Sequence, residues 1–447
     1  MAIVKMTEGK IFSPLFSYSL SLVIGNLFQL AYNAVDSIIV GQFIGKEALA
    51  AVGTASPVMN IVILGISGIC IGASVLMSNF FGAGREDMLR KEMATTSVFG
   101  LLFSVSIAIL GAIFTPVLVR ALKVPENIQG ITILYLRIVF FGSPFTYFYN
   151  ALSSAMKSVG DSKTPLKFLA FSSVLNMSLD IILIGFFGFG IVCSAVTTVV
   201  AQGASAILCI IYVYKKIPIL SLSAREFRID GELLKKTLSF GGITALQQSV
   251  QPICKLLIQG AVNTLGVDVM AAFNAVTRVD DFAYTPEQSI AQGITTFVAQ
   301  NEGAGKRDRV VKGFRRGLIL EVLYWVFICI FSFTFRYRIM GLFISDKTSP
   351  MISEGASYLA LMAFLYIFPA FTNGIQGFFR GLGKMKITLL CTTIQACLRV
   401  IFVYILIGRL GIESVAISSM IGWIAMLLVE VPLYFSYKKK NIAKTVS

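Results

Sequence analysis

The sequence predicts an all-α integral membrane protein: twelve transmembrane helices arranged as two parallel six-helix repeats, an N-lobe and a C-lobe, around a central cavity. Three observations carry this. The 447-residue chain is 56% hydrophobic and only 14% charged, where a soluble domain carries about 25% charge, and its mean hydropathy is +0.80. Apolar runs long enough to cross a bilayer as helices recur along its whole length. Short motifs of the first half return in the second.

The spans are expected at residues 14–41, 55–80, 95–119, 129–155, 166–187 and 190–214, then 238–262, 272–299, 313–345, 353–379, 387–408 and 412–436. The longest polar stretch, KKIPILSLSAREFRIDGELLKK, divides them. The resulting domains are an N-terminal lobe (1–214), a linker (215–237), a C-terminal lobe (238–437) and a basic tail (438–447). Lysine and arginine concentrate in the N-terminus, the linker, the tail and every second loop, above all in GAGKRDRVVKGFRR. The opposite side holds only Lys46, Arg120, Lys123, Arg336, Arg338, Lys347 and Arg409. The positive-inside rule therefore places both termini and the linker in the cytoplasm of a cell-membrane protein, and an even number of spans requires the same. The net charge of +15 suits cytoplasmic loops facing anionic lipid, and no nucleic-acid partner is expected.

The repeat is legible at several places. NFFGAGRED (79–87) recurs as QNEGAGKRD (300–308), GKEALAA (45–51) as GVDVMAA (266–272), and KSVGDSKTPL (157–166) as RGLGKMKITL (380–389). Each member of the last pair follows a proline-containing span start, GSPFT or FPAFT. Duplicated bundles of this kind are common in secondary transporters, which rock two bundles about a central site.

Polar residues inside the spans point to function. In the first span Asn26, Gln29, Asn33 and Asp36 form one stripe at helical spacing. A carboxylate in a membrane helix costs about 2.5–3.5 kcal/mol on insertion scales, so Asp36 needs a role. The chain has no histidine, which leaves proton chemistry to carboxylates, lysines or water. Seven cysteines lie in apolar stretches without a CxxC pair and read as small core residues.

With NAVDSIIVGQFIGKEALAAVG, the GAGRED loop after the second span and the long central linker, the chain resembles the multidrug and toxic compound extrusion (MATE) family over essentially its whole length, and within it the DinF-like branch. That resemblance implies a coupling site in the N-terminal lobe. The family's first-span aspartate matches Asp36, and the branch's Asn and Asp four residues apart match Asn176 and Asp180 in SSVLNMSLDIIL. Its sixth-span hydroxyl matches Thr198 in SAVTTVVAQ. Carboxylates that another branch carries in the C-lobe are replaced here by Gln247, Gln248 or Gln251 and by Asn373.

The residues support such a site without the family. Asp36, Asp180 and Thr198 lie about 8, 10 and 12 Å from the outer ends of their spans at the helical rise. Asn176 and Asp180 share one helical face. Two carboxylates, an amide and a hydroxyl in low dielectric can share a proton, or bind Na⁺ at Asp36, Asn176 and Asp180 with further oxygens completing the shell. The spacing favours neither H⁺ nor Na⁺. No other metal and no cofactor is expected.

In the second half, Gln247, Gln251 and Lys255 form a stripe, followed by Arg278, Asp280, Asp281 and Glu287, and later by Arg399. These charges either pair with each other, for example Lys255 with an eighth-span acid, or line a substrate wall with Gln29, Asn33, Gln251, Lys255, Glu287 and Arg399. Together these features predict a monomeric secondary exporter, in contact with membrane lipids, that antiports amphipathic, mainly cationic compounds against H⁺ or Na⁺. A lipid or lipid-linked oligosaccharide flippase is the alternative, and it calls for a more basic cavity. An enzyme would need a nucleophile, a metal cluster or clustered acid–base residues at an interface, and with no histidine and no DxxD-type pair none is expected.

Overall fold

The computed structural model describes residues 4–43, 46–343 and 350–446, with side chains except those of 33–43, 46–49, 350 and 440–446. Fourteen α-helices account for almost all of it. The first repeat contains α1 (Phe12–Phe43), α2 (Lys46–Gly82), α3 (Glu86–Ala121), α4 (Glu126–Phe141), α5 (Ser143–Ser158), α6 (Lys163–Asp180) and α7 (Ile191–Lys216). The second contains α8 (Gly231–Val262), α9 (Val267–Gly303), α10 (Arg307–Phe343), α11 (Pro350–Leu365), α12 (Ile367–Gly381), α13 (Met385–Leu410) and α14 (Glu413–Val446). The fourth span of each repeat is broken at the same place. Gly142 separates α4 from α5, and α11 and α12 meet at a 41° bend. Pro144 and Pro369 lie just after these breaks, where a missing backbone N–H costs least. The architecture is all-α, two six-span repeats in one chain.

The repeated motifs are helix stops. Gly84 and Gly305, in the two GAG sequences, adopt φ of 68° and 70°, and Gly160 and Gly383 adopt 92° and 72°. Each lets the residue after it return an N–H to a carbonyl five positions back: Arg85 to Phe80 (3.0 Å), Lys306 to Asn301 (2.9 Å), Asp161 to Met156 (2.9 Å) and Lys384 to Phe379 (2.9 Å). This is the Schellman closure, which satisfies carbonyls the helix leaves open and favours a residue without Cβ.

Among the described residues nine helices, or ten with the bent pair, are apolar enough to cross a membrane on composition. α8 and α9 fall short although they are 32 and 37 residues long. The glutamines and Lys255 of α8 and the charges of α9 lower their hydropathy. At 1.5 Å per residue, 32 residues reach about 48 Å, well beyond the hydrocarbon core.

The chain divides into two compact units, and the divisions fall inside helices. Met1–Lys5 and Ile24–Ala245 form one, Met6–Val23 and Leu246–Ser447 the other. In the first unit, Met77, Leu89, Met93, Leu152, Met156 and Val213 form the largest core cluster. Fully buried Tyr147 donates its hydroxyl to the Thr96 carbonyl (2.9 Å) and its ring occupies the space beside Gly100. The start of α8 crosses α2 at glycines: a Cβ on Gly72 would lie 2.6 Å from the Gly241 nitrogen. Segment 217–230 is clasped against α3. Arg90 makes a two-pronged bond to Glu226 (2.7 and 2.6 Å), the Asp230 N–H donates to Thr95 (3.0 Å), and Thr237 donates to buried Glu92 (2.5 Å). The Arg90 guanidinium, helped by the Ser223 N–H and hydroxyl, holds the Glu226 carboxyl down at about 2.

The second unit has its own core, in which Leu15, Tyr18 and Leu22 of α1 pack with Ile294, Phe297, Phe314 and Phe378. Its GAGKRD loop grips the N-terminal segment as the first unit grips the linker. Arg309 donates to the carbonyls of Met6 (3.0 Å), Glu8 (3.1 Å) and Gly9 (2.9 Å), and Lys306 donates to that of Thr7 (3.0 Å). All seven cysteines are free. Cys193 is half-buried and Cys397 exposed, so these two depart from the expected core role.

Candidate functional site

In the first unit three helices bring a small polar cluster together. Asn176 and Asp180, one turn apart at the end of α6, are 1% and 0% exposed. From α7, Thr197 donates its hydroxyl to Asp180 Oδ1 at 2.5 Å and itself is 1% exposed. From α1, Tyr32 donates its hydroxyl to Asn176 Oδ1. The helix changes character at this point. Directly after Asp180 the backbone widens into a π-helical stretch, Ile181–Phe186, a local distortion frequent at functional sites. Asp180 is thus the last α-helical residue before a stretch with altered side-chain register.

The hydroxyl expected from Thr198 comes from Thr197. One residue along an α-helix rotates a side chain by about 100°, and Thr198 is turned away to a half-buried position. Tyr32 was not anticipated. Its signal was present in the sequence, since it stands between Gln29 and Asp36 with a polar tip on an apolar body. The side chains of Asn33 and Asp36 lie outside the described residues, and Gln29 is exposed.

The second unit contains no counterpart to this cluster among the described residues; α13 runs without a π-helical break. Its polar residues form separate groups. Lys255 pairs with Asp281 at 2.8 Å with both side chains partly exposed. Gln251 donates to Gln395 Oε1 (3.0 Å). Gln247 joins Gln376 (2.8 Å), Thr392 (3.0 Å) and Thr388 (3.1 Å) in a buried amide–hydroxyl network. Tyr366 donates to Asp280 at 2.6 Å, and the charge of half-buried Arg399 acts on the same carboxylate. Glu287 is fully buried on α9. Glu321 and Glu430 are also fully buried and lie outside the polar stripes of the spans. Each stands alone in an apolar helix, which is the signal that finds them.

Among the described residues no group of three His, Cys, Asp or Glu side chains is arranged to hold a metal ion. The first cluster presents a carboxylate, an amide and two hydroxyls, hard oxygen chemistry suited to a proton or a small monovalent cation.

Similarity to known proteins runs through both repeats. The family model MatE matches residues 22–182 and again 244–405. Two curated relatives from Bacillus subtilis (strain 168) are each 28% identical. "Probable multidrug resistance protein YoeA" aligns over 81% of this chain and 80% of its own length. "Probable multidrug resistance protein YpnP" aligns over 85% and 84%. A solved structure described as the outward-facing conformation of a multidrug resistance MATE family transporter of the MOP superfamily shares the fold, with a TM-score of 0.90 at 23% identity over 98% of both chains. With the family model matched in both repeats, over more than half of its length, the chain belongs to the MATE family of membrane transporters.

Proposed function

We propose that this chain is a secondary active multidrug exporter that expels amphipathic, mainly cationic organic compounds in exchange for H⁺ or Na⁺ by alternating access. The observation that carries this reading is the cluster of buried Asn176, Asp180 and Thr197 with half-buried Tyr32 in the first unit, within a chain whose curated relatives are named multidrug resistance proteins. Asp36, four positions beyond Tyr32 on α1, completes the coupling set. Ion uptake by these acids changes the packing of α1 against α6 and α7, and release to the other side resets it. Coupling is reciprocal: an ion that weakens substrate binding is itself bound more weakly when substrate is present.

Candidate substrate contacts are Gln29 and Asn33 in the first repeat and, in the second, Gln251, Lys255, Glu287 and Arg399, with adaptable phenylalanine and methionine surfaces supplying apolar contact. The protein works as a monomer in the cell membrane with both termini cytoplasmic, surrounded by lipid, and needs no cofactor besides the driving ion.

The test is accumulation of a fluorescent organic cation in cells with and without the protein, repeated with the H⁺ or the Na⁺ gradient collapsed. Expression should lower accumulation, and collapse of one gradient should abolish the effect. Asp36→Asn should express normally and fail to export. Equal accumulation with and without the protein, or full export by Asp36→Asn, overturns the reading.

A further inference from the structure

The second unit holds two fully buried acids that lie outside the Asp180 cluster. Glu287 on α9 and Glu321 on α10 are both 0% exposed, and two successive residues of α12, Asn373 and Gly374, border the one and the other. One hydrogen bond reaches them, a long one of 3.4 Å from Asn373 Nδ2 on α12 to Glu287 Oε2. Glu287 Oε1 and both carboxyl oxygens of Glu321 are fully buried and receive no hydrogen bond among the described residues. No lysine or arginine forms an ion pair with either acid among the described residues; the pairs present are Arg90 with Glu226 and Lys255 with Asp281.

The surroundings are tight. A Cβ on Gly374 would lie 2.6 Å from Leu318 and 3.7 Å from Glu321 Cγ, and one on Gly377 would lie 2.4 Å from the Ala291 carbonyl. The titratable neighbours are Tyr284 on α9 and Tyr324 on α10. α12 contributes the uncharged Asn373, and among the described residues neither α11 nor α14 adds a group whose charge acts on the pair.

Two unpaired negative charges in such a place would cost several kcal/mol each, and one monovalent cation would leave a net charge behind. A proton on each carboxyl removes both charges and needs no further ligands. The pair also sits on a hinge. Pro286 has no N–H, so the Phe282 carbonyl four residues earlier loses its helix partner. Tyr324, one turn beyond Glu321, donates its hydroxyl to that carbonyl at 3.4 Å. A charge change at Glu287 therefore acts next to the residue where α9 can bend, and α10 touches both the pair and the hinge.

We propose that Glu287 and Glu321, with Asn373, form a second proton-binding site confined to the second unit and separate from the Asp180 cluster. Each carboxylate accepts one proton from hydronium when the site is open to solution, leaving water, and returns it to water as hydronium when the site opens again; no other bond changes. That the protons move during transport rests on the exporter reading; that the pair holds them does not.

Infrared spectroscopy of the full-length protein in liposomes tests the site. At neutral pH the wild type should show a protonated carboxyl C=O band that shifts in D₂O. Glu287→Gln and Glu321→Gln should each lower it, the two together should lower it further, and Asp180→Asn should leave that difference in place. Should a Gln variant misfold, Glu321→Asp keeps the carboxyl and should shift the band without abolishing it. A band unchanged in Glu287→Gln/Glu321→Gln, no band in the wild type, or a band lost on adding Na⁺ at fixed pH overturns the proposal. For the transport link, a pH-indicator dye should report substrate-triggered proton release by the wild type, and Glu321→Gln should lower the number of protons released per substrate. Release unaffected by Glu321→Gln overturns that link. Absence of drug export by the wild type would overturn the exporter reading and leave the infrared result standing.

Discussion

Thr197 and Asp180 share a 2.5 Å hydrogen bond between two side chains that are 1% and 0% exposed. The hydroxyl therefore fixes where the carboxylate points and, in the proposed coupling role, sets how readily it takes up an ion. A hydrogen bond to a charged group is worth about 1.5–3 kcal/mol, so Thr197→Val should weaken ion dependence of export about tenfold to a hundredfold. Thr198→Val should change it little. Ion titration of dye efflux in proteoliposomes compares the two, and a larger effect at Thr198 would reverse the assignment.

Helix contact through glycine leads to a stability prediction. Gly72→Ala places a methyl 2.6 Å from the Gly241 backbone nitrogen, and overpacking of this kind costs about 1–3 kcal/mol. Gly65, on the same helix, has nothing within 4 Å of an added Cβ. Gly65→Ala should be neutral or stabilise by about 0.5–1 kcal/mol through helix propensity. Thermal unfolding of the purified protein should give a lower midpoint for the first variant and an equal or higher one for the second.

The linker clasp should ignore physiological pH. The Glu226 carboxyl drops from the usual 4.5 to about 2 beside Arg90. A lowered folded value stabilises the clasp above the unfolded value and is lost as pH falls through the folded one. The contribution is therefore complete from neutral pH down to about 4.5 and disappears toward about 2. Hydrogen-exchange protection factors of residues 217–230, which remove the intrinsic pH dependence of exchange, should be flat across neutral pH in the wild type and lower there in Glu226→Gln.

Lys255 and Asp281 offer a choice between pairing and substrate contact. Their 2.8 Å bridge is partly exposed, and such a pair adds about 0.2–1 kcal/mol. Lys255→Asp should reduce export. If pairing is its role, Lys255→Asp/Asp281→Lys restores export of all substrates. If Lys255 contacts substrate, the double variant regains folding stability but shifts its preference toward more positively charged compounds. Export measured on a cationic and a zwitterionic dye distinguishes them.

Much of the fold was readable in the chain because a bilayer imposes it. Apolar runs must be helices, and lysine and arginine mark the loops. The GAG and Gly160/Gly383 motifs recur because left-handed helix stops demand glycine. Asn176 and Asp180 could be placed together because residues four apart share a helix face. What the chain alone left open was rotation and neighbourhood. Thr197 and Thr198 are chemically identical in sequence, and only the packed azimuth of α7 puts the first on Asp180. The π-helical turn after Asp180 follows from packing that no periodicity encodes. Glu287 and Glu321 are 34 positions apart on different helices, and only the close seating of α9, α10 and α12 makes them a pair. Helices, repeats and polar residues are local properties of the sequence. Which side chains meet is a property of how helices rotate against each other, and the tertiary structure decides it.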